Sequence, residues 1–190
     1  QVWRPRELNT HETEWGFSCM SYEISGALGI KMANPDKEVI SFVGDGSYLL
    51  NNTDIYSSVI TNNKLIIIVC DNGGFAVINR LQLFKGGNEY NNLLKSSNTP
   101  GLVNVDFAKH AESMGAKSEH VNSISDLEEA FKRAKKSDVT YVISIKTHAY
   151  QWLEGSAFWD SPTLEIPTTK ENKEALKLYK EGKNKQRQGV

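Results

Sequence analysis

The run Leu65-Ile-Ile-Ile-Val-Cys70 holds six consecutive apolar residues, four of them β-branched, with no polar side chain to turn toward water. A strand of this kind must be covered on both faces, as the central strands of parallel sheets are. Two more β-rich runs, Glu38-Val-Ile-Ser-Phe-Val43 and Thr140-Tyr-Val-Ile-Ser-Ile-Lys146, flank it in the sequence, and Lys117 to Val121 is a weaker fourth. Helical patterns lie between them. Ser21 to Ala33 ends at Asn34-Pro35, where proline cannot continue a helix, and Asn52 to Ile60 opens on Asn/Thr/Asp capping chemistry. Asn104 to Met114 ends at Gly115, a C-terminal glycine signal. Ser125-Asp-Leu-Glu128 and Thr168-Thr-Lys-Glu171 read as capping boxes opening two further helices, the first running to about Lys136. Strands alternating with helices predict an α/β fold, a three-layer α-β-α sandwich on a mostly parallel sheet. The polar stretch from Asn79 to Gly101 reads as a long loop, of the kind that serves as a lid or stays disordered.

Composition bounds the functional classes. With 22 Lys and Arg against 23 Asp and Glu, the formal charge is −1, which argues against a nucleic-acid footprint over the whole chain. Two cysteines, Cys19 and Cys70, exclude a disulfide framework and a multi-cysteine zinc cluster, and fit a reducing compartment, with the cytoplasm as the expectation. No apolar run is long enough to span a bilayer, so no membrane partner is expected. The charge is uneven: Thr168 to Val190 carries seven Lys/Arg against three Glu, which reads as a solvated basic helix and tail following a domain over residues 1–167. The chain begins at Gln1, and we read it as a piece of a longer polypeptide.

Chemistry concentrates at two strand ends. Gly44-Asp-Gly-Ser47 follows the first run, and Asp71-Asn-Gly-Gly-Phe75 follows the second. Ligands of parallel sheets bind beyond the carboxyl ends of the strands, and neighbouring strands would bring these two turns side by side. Glycines let the backbone approach an anion closely, and a following helix offers free N–H groups to a phosphate. The Asp45 carboxylate, the Asn72 amide oxygen and a carbonyl near Gly74 are hard oxygen donors, the set Mg²⁺ prefers. A lone Gly-Asp-Gly is most often only a tight turn. Here Asp45 and Asn72 stand 27 residues apart, the length of one helix and one strand.

The Gly-Asp-Gly turn, this spacing and the Asn-x-Gly end resemble the thiamine-diphosphate-binding motif. The upstream Gly16-Phe-Ser-Cys-Met-Ser-Tyr-Glu-Ile-Ser-Gly-Ala-Leu-Gly29 resembles the stretch that precedes it in acetolactate-synthase-like enzymes, and the resemblance runs from Trp15 to Ile145. Trp15-Gly-Phe-Ser-Cys-Met20, Asp71-Asn-Gly-Gly-Phe75, Ile78-Asn-Arg-Leu-Gln82 and Ala108-Lys-His-Ala-Glu-Ser-Met-Gly115 are most similar to the inositol-catabolic trihydroxycyclohexanedione hydrolases of that family. The resemblance implies that Asp45, Asn72 and the carbonyl of Gly74 hold Mg²⁺, and that Gly44, Gly46, Ser47 and Phe75 serve the cofactor. Met20 then props thiamine diphosphate in its bent form, and Cys19 either touches its ring or is small apolar packing. The family's catalytic Glu belongs to a separate pyrimidine-binding domain, so no catalytic residue is expected in this chain. The partners implied are that domain, on the same or a second subunit, and a small-molecule substrate, in a homodimer or homotetramer.

Several positions depart from the pattern or stay open. Ser21 stands where the family usually has Gly, which is costly if the backbone there is left-handed, and Ser25 stands where the wider family often has Pro. Asp71 replaces a frequent Asn and reads either as charge near the metal or as a helix cap. His148, with Tyr150 and Trp152 behind it, follows a strand and is a substrate-side candidate, whereas His110 and His120 read as surface or satisfied histidines and Cys70 as packing. Trp15, Phe17, Phe158 and Trp159 form either an interface or a satellite core. Two other functions stay open: a 2-oxo acid carboligase or decarboxylase domain using the same cofactor, and a non-catalytic receiver-like module binding Mg²⁺ and phosphate through Asp45.

Overall fold

The computed structural model describes residues 4–14, 17, 19–98, 104–152 and 163–186. Trp15, Gly16, Ser18, Phe158 and Trp159 lie outside the described residues. The chain divides into two compact units, residues 1–71 with 105–146, and residues 72–104 with 147–190.

The first unit carries the sheet. Strands β1 (Ile40–Gly44), β2 (Ile66–Asp71), β3 (Lys117–Val121) and β4 (Tyr141–Lys146) pair in the order β1-β2-β4-β3, every neighbouring pair parallel. β4 therefore inserts between β2 and β3. The apolar run at β2 buries both its faces as its composition requires. Ile67 and Val69 enter a core with α1 (Tyr22–Ala33), α3 (Thr53–Ile60) and α5 (Phe107–Ser113). Ile66 and Ile68 enter another with α6 (Ile124–Lys136), through Ala130, Ala134 and the flanking Leu127 and Phe131. Helix, sheet and helix form the three layers expected. A short helix, α2 (Asp45–Leu50), follows β1 with no intervening loop.

The helix starts differ from the sequence expectations. α3 begins after Asn52, whose side chain makes no cap and instead donates to the carbonyl of Tyr48 at 3.2 Å. α5 is capped by Asp106, which accepts from Lys109 N. α6 is capped by Ser123 accepting from Asp126 N, two residues before the predicted box. In α5 and α6 an Asp or Ser just upstream reaches a third-position N–H, and sequence spacing does not choose between adjacent candidates. Gly115 does end α5 in the left-handed region at φ +85°, with its N–H on the carbonyl of Glu112.

The second unit holds α4 (Ala76–Phe84) and α7 (Lys170–Lys185). α4 begins before the stretch predicted as loop and takes up its first six residues, Asn79 to Phe84. Its apolar positions are interrupted by Asn79, Arg80 and Gln82, which masks the helical period, but Asn79 is wholly buried and Arg80 stacks on Trp152. α7 is capped by Thr169, one residue later than the predicted box, and Asn172 donates to the carbonyl of Gly86 at 2.6 Å. Gly86, at φ +79°, lies so close to the backbone of Glu171 that a Cβ would sit 2.6 Å from its oxygen. The basic helix is thus seated at its N-terminal turn and solvated along most of its length.

Candidate functional site

β1 and β2 run in register, Gly44 opposite Cys70, so the residues that follow them, Asp45 and Asp71, leave adjacent strands at the same edge. Asp45 is 3% exposed. Its charge is felt at Cys70, whose thiol is pushed up first by burial and then by the Asp45 carboxylate. Gly44 has extended backbone at φ −74°, and a Cβ built there meets nothing within 4 Å. Neither conformation nor internal packing demands glycine at 44. A backbone left bare at the carboxyl edge fits close approach by an external anion.

Asp71 has a partner that the sequence did not suggest. It is buried, and its carboxylate pairs with Lys146 Nζ at 2.5 Å across the β2–β4 register.

α2 depends on tertiary anchors. Gly44 supplies no side-chain cap, and six residues are too few for a helix to hold alone. Tyr48, fully buried, packs edge-on to Phe107 with ring centroids 5.2 Å apart and places its hydroxyl 2.9 Å from His110 Nδ1. Burial pushes the Tyr48 phenol far up, so it stays neutral. Asn51 Nδ2 donates to Ser25 Oγ at 2.8 Å, which ties α2 to α1 through the serine that replaces a frequent proline. His110 is a satisfied histidine, as expected, and His120 is exposed on β3.

Cys19 and Met20 precede α1 and are exposed, Met20 at 45%. Glu14 shapes their approach: its two carboxylate oxygens accept from the N–H groups of Phe17 and Cys19, each at 2.7 Å. Ser21 has φ +77°, the left-handed conformation that glycine adopts without penalty.

In the second unit, Asn72 leads into Gly73 (φ +81°) and Gly74 (φ +137°). A Cβ on Gly74 would lie 2.4 Å from the carbonyl oxygen of Asn92, so only glycine fits. Phe75 N–H donates to that carbonyl at 2.7 Å, and Leu94 N–H donates to the carbonyl of Gly73 at 2.9 Å. His148 is exposed and accepts from Tyr150 N–H at 3.1 Å. Glu89 is a polar centre for which the sequence gives no signal: Asn79 and Tyr150 both donate to it, and Lys95 pairs with it. Among the described residues no three His, Cys, Asp or Glu side chains gather as a metal cluster, and the predicted donor set contains only one such side chain, Asp45.

Comparison with known proteins bears on the family and the fold. The chain is 38% identical over 177 residues to 3D-(3,5/4)-trihydroxycyclohexane-1,2-dione hydrolase of Shouchella clausii, covering 92% of this chain and 28% of that protein. It is 38% identical over 159 residues to the protein of the same name from Bacillus subtilis, covering 84% of this chain and 25% of the relative. The chain therefore spans little more than a quarter of the length of these relatives. Among solved structures it is similar to the thiamine diphosphate-dependent 4-hydroxybenzoylformate decarboxylase of Rhodococcus jostii RHA1, with a TM-score of 0.56 and 27% identity over 68% of this chain and 23% of that one. Residues 1–145 match the family described as thiamine pyrophosphate enzyme, C-terminal TPP binding domain, and the chain belongs to that family.

Proposed function

We propose that this chain is the diphosphate-binding domain of a thiamine-diphosphate-dependent hydrolase that opens trihydroxycyclohexane-1,2-dione by cleaving a carbon–carbon bond, in inositol catabolism in the cytoplasm. The observation that carries it is the Asp45 carboxylate, buried at the carboxyl end of β1 behind a bare Gly44 backbone, in a chain 38% identical to relatives of that name.

The residues fit a metal-diphosphate group by donor chemistry. Asp45 supplies the one carboxylate, and Asn72 and the carbonyl of Gly74 supply neutral oxygens, a set suited to Mg²⁺ that keeps diphosphate oxygens among its ligands. Gly44 and Gly46 present bare backbone to the diphosphate, Ser47 offers a hydroxyl, and Met20, Cys19 and Phe75 serve the ring end. When bound, thiamine diphosphate supplies the electron sink for bond cleavage beside a carbonyl. This chain's part is to hold and orient that group. The glutamate that moves protons on it belongs, in this reading, to a pyrimidine-binding domain on the same or a second subunit of a homodimer or homotetramer.

Titration calorimetry tests the reading. Thiamine diphosphate is expected to bind in the presence of Mg²⁺, and Asp45→Ala should weaken this by about 100-fold, the upper end of what a metal site loses with a supporting group. Absence of Mg²⁺-dependent binding by the wild-type chain overturns it. The decarboxylase neighbour favours a second reading, in which the same domain serves a 2-oxo acid enzyme. Assays of the complete enzyme with a 2-oxo acid and with the ring diketone separate the two.

A further inference from the structure

The Gly73–Gly74 turn does not hold itself. Two consecutive residues in the positive-φ region are kept there by the segment Asn92–Leu94, which returns antiparallel to them: Gly74 bridges Leu93, Phe75 N–H donates to Asn92 O, and Leu94 N–H donates to Gly73 O. Asn92 is fixed in turn by α4, its Nδ2 donating to Gln82 Oε1 at 2.5 Å. Between Phe84 and Asn92 the chain has no regular structure, so something else must set where the return begins.

Glu89 is placed to do this. Its Oε1 accepts from Asn79 Nδ2 at 3.0 Å and from the Tyr150 hydroxyl, while Oε2 faces Lys95 Nζ at 3.6 Å. The Lys95 ammonium also lies 4.2 Å from the centroid of the Tyr150 ring. One carboxylate thus joins α4, both sides of the return segment, and the chain leaving β4. Asn79 is wholly buried and its Oδ1 has no donor among the described residues, a desolvated acceptor that the fold tolerates while the amide nitrogen serves Glu89. The hydrogen bonds from Tyr150 and Asn79 hold the Glu89 carboxyl below its ordinary range, so it is ionised at neutral pH. With three donors on it, the carboxylate is engaged as a support and is not free to act as a base.

We propose that Glu89 is a positioning residue for the Gly73–Gly74 turn, a carboxylate latch that sets the Asn92–Leu94 return and through it the Gly74 carbonyl. The inference rests on the reading of that carbonyl as a Mg²⁺ ligand. Groups that orient a ligand without touching the metal typically govern about 10- to 100-fold in metal affinity.

Two measurements on Glu89→Gln test it. In titrations at saturating thiamine diphosphate, the Mg²⁺ concentration for half-saturation should rise about tenfold, with the cofactor's own affinity at saturating Mg²⁺ changing less than about twofold. Without any ligand, hydrogen exchange at the Phe75 and Leu94 amides should quicken at least about tenfold, while β2 amides stay protected. Asn172→Ala, which removes a bond to Gly86 in the same unit, is the control for general loosening and should move neither quantity. Unchanged exchange at Phe75 and Leu94 in Glu89→Gln overturns the latch, as does an equal effect from Asn172→Ala. If the wild-type chain binds no cofactor, the metal reading fails and the exchange result alone decides the latch.

Discussion

A serine at φ +77° sits immediately before the helix that leads away from Met20. Its left-handed backbone costs on the order of 1–2 kcal/mol for a residue with a Cβ, part of which glycine returns through its larger unfolded-state entropy. Ser21→Gly should therefore raise stability by about 0.5–1 kcal/mol, read as a higher urea midpoint with unchanged slope. Thr140 acts in the opposite sense. Its buried hydroxyl lies 2.6 Å from Ser58 Oγ and accepts from Leu65 N–H at 3.1 Å, at the point where β2 begins beside β4. Thr140→Val keeps the shape and leaves a backbone donor unpaired, which should cost about 1–3 kcal/mol in the same measurement. Neither effect follows from the residue type. Serine and threonine are ordinary residues until backbone angle and burial are known.

Elements show which cues carry through. β2 was readable because six apolar residues admit one arrangement, and Gly115 because a left-handed helix end favours glycine. α4 was not readable, because Asn79 faces inward to meet Glu89 and so breaks the apolar period that marks a helix. β3 is polar along most of its length and is fastened by charge: Arg133 of α6 donates to both oxygens of Glu119, at 2.9 and 2.6 Å, and the Tyr141 hydroxyl donates to Oε1 at 2.6 Å. Arg133 first, and Tyr141 with it, hold the Glu119 carboxyl below its ordinary range. A carboxyl lowered in the folded state binds fewer protons than in the unfolded state. Its contribution is complete above the ordinary carboxylate value and is lost as pH falls through the lowered one. Urea midpoints followed from about pH 6 to about pH 3 should fall more steeply for the wild type than for Glu119→Gln, and the two curves should converge in acid.

For the whole molecule, the question is what a chain spanning about a quarter of its relatives' length can do. The sheet and both of its cores lie within the chain, and the carboxyl edge with Asp45 is formed on them. Binding to the folded state alone raises stability by mass action, about 2.7 kcal/mol at a ligand concentration one hundred times the dissociation constant. Mg²⁺ with thiamine diphosphate should thus raise the melting temperature by several degrees, and chelation of the metal should cancel the rise even with the cofactor present. Turnover of the ring diketone by this chain alone is not expected, because the proposed proton-moving glutamate lies on another domain.

The sequence by itself determined the α/β class, the parallel strands and the two turns at their carboxyl ends, because apolar runs and glycine-rich turns are constraints between near neighbours in the chain. It also offered Asp45, Asn72 and a carbonyl near Gly74 as hard-oxygen donors, the set that the proposed Mg²⁺ site would use. Only the tertiary structure decided that Tyr48 is anchored by His110, that Asp71 is neutralised by Lys146, and that Glu89 gathers Asn79, Lys95 and Tyr150. Each of these pairings but Glu89 with Lys95 joins residues ten to 75 positions apart in sequence. Their energies depend on desolvation and on distances of a few ångströms, and neither exists until the chain has folded.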